Sequence, residues 1–386
     1  MLLWGVTFGA YAMGARAAES IPTRAVWGGA IALRLGLVWA TPLLSEDVYR
    51  YVWDGWVARN GINPFVFAPA DPALVPLHLD WWGLINHPEV STIYPPGAQI
   101  VFLGLALLAP TWLVFKLAWI AADLLAAWLI DRLMAGRPRR RTAVFLYLFS
   151  PLLIVEVAWS GHFESVGIAA MLGAVLLARR RGGAAGAMLG LGASIKFAPL
   201  AAVPALWRRH GWLAAGLALA VPAVLYLPYA GAGAGLFAGL RTYADVWQFN
   251  AGLFRILDLL PGPAELSRWL GGLAVIAVAA HAALRRRGLG QTLYWTIGAA
   301  LLVSPTIHPW YTLWILPFAC LYGGLAWIVF TGTVFLAYAG RDAYLATGVW
   351  PEPLWLLVLI HAPLLALLAR ELLARPRPGR PLKNSK

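Results

Sequence analysis

Long apolar runs alternate with short polar, arginine-bearing stretches along most of the chain. Runs of this kind predict membrane helices, near 20 residues each or shorter where broken. Leu2–Ala15 and Ala25–Leu43 predict the first two crossings, with Arg16 and Arg24 between them. The first run lacks a basic leader and is followed by further apolar runs, so it reads as a membrane helix rather than a signal peptide. Ser45 to Pro96 is then a long polar stretch rich in aromatic residues. Apolar character resumes over Ala98–Leu133, which Pro110 divides, and continues over Thr142–Trp159, Val166–Ala178, Ala184–Ile195, Phe197–Trp207 and Trp212–Tyr226. A second polar stretch covers 228–265. Further runs follow at Trp269–Leu284, Thr292–Val303, Tyr311–Leu321, Leu325–Ala339 and Pro353–Ala369. The pattern predicts an all-α polytopic membrane protein with about 11 to 13 crossings. No internal repeat and no soluble domain interrupts it, so residues 1–386 read as one integral membrane domain.

Composition agrees. Hydrophobic residues make up 61% of the 386 residues and charged residues 12%, against roughly 25% charged in soluble domains. Mean hydropathy is +0.70. A net charge of +13 would point to nucleic acid in a soluble protein. Here the arginines cluster between apolar runs: Arg137 with Arg139–Arg141, Arg179–Arg181, Arg208 with Arg209, Arg285–Arg287, and a basic tail over 371–386. That is the positive-inside signal, and no nucleic-acid partner is expected. It places the N-terminus outside and the tail inside. Residues 44–97 become the first extracytoplasmic loop, expected to be catalytic, and 228–265 the second. The polar motifs all gather on that outer side of the cell membrane. The 21 Trp and 13 Tyr are mostly accounted for by interfacial belts. The single Cys320 allows no disulfide within the chain,.

The most informative segment is Ser45–Phe67, SEDVYRYVWDGWVARNGINPFVF. A helix from about Asp47 to Arg59 puts Asp47, Arg50, Tyr51 and Asp54 on one face. Glu46 is then within reach of Arg50. An ionised Asp47 or Glu46 can take a proton from a sugar or lipid hydroxyl, while Ser45 and the acidic first turn also suit a helix start. Arg50, Tyr51, Asp54 and Tyr94 are candidate substrate contacts, as are His162 and Glu164 of SGHFES and Trp310 of SPTIHPWYTLW. Lys196, His308 and Arg241 are candidates for holding a phosphate. His87 and Glu89 lack a third ligand close by in sequence, so no metal site is expected. The chain has no G-x-x-x-x-G-K-[ST] loop, no soluble G-x-G-x-x-G unit and no H-E-x-x-H,. This disfavours ATP-driven transport and nucleotide-sugar chemistry. No cofactor is expected. A lipid-borne, pre-activated sugar is the natural donor for an outward-facing enzyme.

Together SEDVYRYVWDG with GINPF, HPEVSTIYPPGAQ, SGHFES, LGASIKFAPL, RTYADVWQFN and SPTIHPWYTLW resemble the GT-C superfamily of membrane glycosyltransferases, and among them the polyprenol-phosphate-mannose-dependent family 87. The resemblance implies inverting transfer of a sugar, most often mannose, from a polyprenyl phosphate to a lipid or glycan acceptor. It implies an acidic base in the first outer loop, mapping to Asp47 with Glu46 as competitor. Lys196, His308 and Arg241 would hold the departing phosphate. Where the family often has W-D-G-R, this chain has Trp56 in place of the Arg. A lipid-linked sugar transporter is the alternative reading, though inverted repeats and mid-membrane polar sites are not evident.

Overall fold

The computed structural model describes residues 2–263 and 265–373; most of the expected basic tail over 371–386 lies outside them. The regular structure of the described residues is all helical, with no strand and a single isolated bridge between Phe249 and Thr306. The protein is an all-α polytopic membrane protein, as the apolar pattern predicts. Among the described residues three helices are long and apolar enough to cross a membrane unbroken: Trp112–Leu133, Leu266–Leu284 and Leu354–Leu373. Two further pairs are bent, Arg140–Leu148 with Pro151–Ser160 by 45° and Ala198–Leu225 with Leu227–Val246 by 84°. Four apolar helices are shorter: Pro96–Leu108, Glu164–Leu177, Gly182–Ile195 and Leu289–Val303.

Unbroken spans are therefore fewer than the expected 11 to 13 crossings. The cause lies in helix breakers. Pro110 follows the end of Pro96–Leu108, Pro151 opens a new helix after Ser150, and Val203–Leu225 is interrupted at Gly211, whose φ is 80°,. The stretch 228–265, read as a loop, folds largely into short helices: Leu227–Phe237, Ala238–Val246 and Leu253–Leu257. Many large apolar side chains face outward, Leu273, Leu354 and Trp269 among them, as the hydrocarbon solvent of a bilayer allows.

Two features fix the frame around the site. The first is the helix Asp47–Arg59, which lies against Pro96–Leu108. Gly55 makes the contact possible, because a Cβ there would meet the Phe102 carbonyl oxygen at 2.4 Å. The helix is anchored at its far end, where Arg59 Nη1 donates to the Ala106 carbonyl at 2.9 Å. The second is an ion pair with both side chains fully buried. Arg34 Nε donates to Asp123 Oδ2 at 2.5 Å, and Arg34 Nη1 reaches the carbonyls of Ala30 and Leu148. It ties the helix Thr23–Leu37 to Trp112–Leu133. The first helix, Leu2–Ala17, joins the body through Trp4 Nε1 to the Gly332 carbonyl and Tyr11 to the Leu146 carbonyl.

Candidate active site

The start of the helix Asp47–Arg59 is set by Ser45, whose Oγ accepts the Asp47 N–H at 3.3 Å. The turn aims Asp47 into a cavity of about 570 Å³. Glu46, Asp47, Arg50 and Tyr51 reach its wall from this helix start, Tyr94 and Lys196 from two connecting segments, and His308 with Trp310 from a third. Apolar side chains of Leu289–Val303, including Ile297, Ala300 and Leu301, complete one side.

Asp47 is held by Asn86, whose Nδ2 donates to Oδ1 at 2.7 Å, and by the Tyr51 hydroxyl, 3.3 Å from Oδ2. Its side chain is 16% exposed. Burial raises its pKa above the ordinary value; the Asn86 hydrogen bond and the Lys196 charge oppose that, and the Glu46 charge adds to it,. A carboxylate of raised basicity facing a cavity is suited to taking a proton.

Behind Asp47 a chain of polar groups runs into the protein. The Tyr51 hydroxyl lies 3.2 Å from His162 Nδ1, and His162 Nε2 lies 3.4 Å from Glu156 Oε2. Glu156 Oε1 accepts the Tyr338 hydroxyl at 2.9 Å, and Tyr338 faces the same cavity. Local backbone explains the geometry. Val155–Ser160 forms a wider π turn, and Gly161 follows at φ 83°. A Cβ on Gly161 would press on Lys116 and Val48 at 3.0 Å, so a side chain there is both strained and crowded. The His162 N–H then bonds back to the Glu156 carbonyl at 2.8 Å.

Aromatic rings form a ladder along the wall. His162 stacks on Trp310 with centroids 3.9 Å apart, Trp310 on His308 at 4.4 Å, and His308 on Phe249 at 4.9 Å. Burial, then the Lys196 and His87 charges, push His308 down to about 3. Burial and the Lys196 and His308 charges push His162 well below the ordinary histidine value. Both rings are neutral at physiological pH. His308 is thus a hydrogen-bonding group in the free protein, where the sequence reading treated it with the basic phosphate holders.

Lys196 follows the helix Gly182–Ile195 and forms an ion pair with Glu164, which opens the preceding helix, Glu164–Leu177. Its Nζ also lies 4.4 Å from the Tyr311 ring centroid. The ammonium has three donors, so the pair leaves donors for the cavity side.

Several predicted residues stand elsewhere. Arg241 does not line the cavity; it is exposed, and Nη2 donates to the Ala234 carbonyl at 2.8 Å. Asp54 is buried behind the wall, accepting from Arg50 Nε at 2.9 Å, Thr92 Oγ1 at 2.6 Å and Gln99 Nε2 at 3.0 Å. Arg50 thus pairs with Asp54 and not with Glu46: both acids stand four residues away, but Asp54 lies within the helix, where i to i+4 side chains meet, whereas Glu46 is the capping residue before it, with non-helical backbone,. Glu46 turns instead to Arg341 at 3.5 Å. His162 and Glu164 sit behind the lining, one against Tyr51 and one against Lys196. Sequence reasoning missed Asn86, Glu156 and Tyr338. Glu156 carried a signal: an acid inside an apolar run is expensive to bury and so marks a function.

This is a polytopic helical membrane protein whose cavity joins a carboxylate, an ammonium, an imidazole and stacked aromatic rings. Residues 1–234, more than half of the chain, match the family described as alpha-(1->6)-mannopyranosyltransferase, N-terminal domain. The chain belongs to that family, in keeping with the GT-C resemblance of its motifs. Alpha-(1->6)-mannopyranosyltransferase A of Corynebacterium glutamicum is 24% identical over 187 residues, covering 45% of this chain and 36% of the relative. The match thus spans only about a third of that protein's length. No solved structure matches. Asp47, His162 and Lys196 fall within the family match; His308 and Trp310 lie beyond it.

Proposed function

We propose that the protein transfers a mannosyl group, with inversion, from a polyprenyl-phosphate carrier to a hydroxyl of a lipid or glycan acceptor on the extracytoplasmic side. Family membership supports the sugar, and the cavity supports the chemistry. The observation that carries the reading is the convergence of Asp47, Lys196 and His308 on one cavity beside an apolar wall.

In this mechanism Asp47 accepts the acceptor hydroxyl's proton as that oxygen attacks the anomeric carbon. The bond from that carbon to the phosphate oxygen breaks, and its electron pair leaves with the polyprenyl phosphate. Lys196 and the His308 N–H donate to the phosphate oxygens, where negative charge grows. Trp310 and its stacked neighbours offer ring faces to the sugar. Ile297, Ala300 and Leu301 offer apolar surface to the isoprenoid chain. Glu46, engaged with Arg341, is less well placed for proton transfer.

The test uses purified protein with radiolabelled polyprenyl-phosphate mannose and a lipid acceptor extract. Wild type should release polyprenyl phosphate and label the acceptor, and a nucleotide sugar should not replace the donor. Asp47→Asn should lower turnover by about two to four orders of magnitude, with Glu46→Gln far milder. Undiminished transfer by the Asp47→Asn protein would remove Asp47 from the base role.

A further inference from the structure

A second cavity, of about 200 Å³, lies at the other end of the helix Leu289–Val303. Gly288, Leu289 and Gly290 at the helix start line it, whereas Ala300, Leu301 and Ser304 at the helix end line the mannosyl-transfer cavity. Fifteen residues separate the two by about 20 Å of helix rise.

Three arginines reach this cavity from three separate turns. Arg137 comes after Trp112–Leu133, Arg179 after Glu164–Leu177, and Arg209 from just before the Gly211 break. Loop arginines that orient a membrane protein need only lie on the inner side; nothing in that requirement makes three of them converge. Elsewhere a loop arginine finds an acid, as Arg140 does with Asp131 at 2.5 Å. Among the described residues no Asp or Glu lines this cavity, and none pairs with Arg137, Arg179 or Arg209. Arg179 Nη2 donates to the Leu133 carbonyl at 2.8 Å, and Arg209 Nη1 to the Arg286 carbonyl at 3.4 Å. A guanidinium has five N–H donors, so most remain free. Burial and the neighbouring Arg137 charge both push Arg179 down from its ordinary value: the cations crowd one another with no anion between them. The helix start adds amide N–H groups without intrahelical partners. Tyr322 completes the wall, its hydroxyl against Gly290.

We propose that this cavity binds a phosphate group, held by the guanidinium groups of Arg137, Arg179 and Arg209. Planar guanidinium forks match phosphate oxygens in pairs. The remaining wall is apolar, with Leu133, Val175 and Leu321, which suits the glycerol and upper acyl chain of an anionic phospholipid. Free phosphate satisfies the arginines alone.

Thermal unfolding in uncharged detergent separates the sources. Phosphatidylglycerol should raise the wild-type Tm by a few degrees through mass action, and phosphatidylcholine should not. A matching rise with inorganic phosphate would identify the free ion as sufficient. No rise with either phosphatidylglycerol or phosphate overturns the proposal on the wild-type protein alone. Arg137→Lys/Arg179→Lys/Arg209→Lys keeps the charge that orients the loops but removes the forks, so the shift should at least halve. An undiminished shift in that variant overturns the assignment to these residues. Should the triple variant not fold, Arg179→Lys is read the same way, with native mass spectrometry counting retained phosphatidylglycerol in each protein.

Discussion

The base role proposed for Asp47 rests on a neighbour that its own segment does not supply. Asn86 donates the shortest hydrogen bond it receives, 2.7 Å, and lowers a carboxyl that burial has raised. A hydrogen bond to a charged group is worth about 1.5–3 kcal/mol, and one pKa unit corresponds to about 1.4 kcal/mol. Removing the donor destabilises the ionised form, so the carboxyl pKa rises further. A base works only when ionised: activity is full above that pKa and falls as pH drops through it. In Asn86→Ala the acid limb of kcat/KM should therefore move upward by about one to two units, with the high-pH plateau nearly kept. The charged or titratable groups around Asp47 include Glu46, Tyr51, Tyr94, Glu156, His162, Glu164 and Lys196. Both His162 and His308 are held neutral, so neither histidine should add a second limb near pH 6.5. A pH-rate profile from pH 5 to 9 checks both statements, and an unmoved limb would show that Asn86 does not tune the base. Here the sequence was partly legible. Asp47, Tyr51 and Lys196 stood in contiguous motifs. Asn86 did not, because its partner is set by how the 72–86 segment folds back over the helix, which no periodicity records.

At the scale of elements, the apolar runs located the helices well and their interruptions less well. Trp269–Leu284 was expected, and Leu266–Leu284 is observed. The break around Pro110 was legible because proline removes a donor and clashes with the preceding turn. The bend between Arg140–Leu148 and Pro151–Ser160 was not, since Pro151 sits at a first helical position it tolerates. Pairing between helices was also hidden. Arg34 and Asp123 each look like an isolated charge inside an apolar run, and only the packing of Thr23–Leu37 and Trp112–Leu133 on the shared Arg140–Leu148 and Val155–Ser160 segments brings them together. Both side chains are fully buried, so removing one leaves the other uncompensated. Asp123→Asn should cost about 3–5 kcal/mol and lower Tm in detergent accordingly. The double variant Arg34→Met/Asp123→Leu should recover much of the loss, because two apolar groups leave no stranded charge. If Asp123→Asn unfolds at the wild-type temperature, the pair does not hold these two helices together.

For the whole molecule, what matters is that opposite ends of the same helices carry opposite equipment. Leu289–Val303 runs from three arginines at its start to the Asp47 cavity at its end. Glu164–Leu177 runs the other way, from the Lys196 ion pair to Arg179. Arginine bias retains cationic loops in the cytoplasm; on the function proposed above this would put the cavity end outside, where a lipid-borne sugar donor makes sense. The polarity can be read directly. Cys320, the chain's one cysteine, is buried and should stay silent toward a membrane-impermeant maleimide. Asp80 and Arg180 are both exposed, at the cavity end and the arginine end respectively. In intact cells Asp80→Cys should label, whereas Arg180→Cys should label only after permeabilisation. The reverse pattern would turn the molecule over. The transfer cavity would then face the cytoplasm, where nucleotide sugars are at hand, and the case for a lipid-borne donor would lose the topological half of its support.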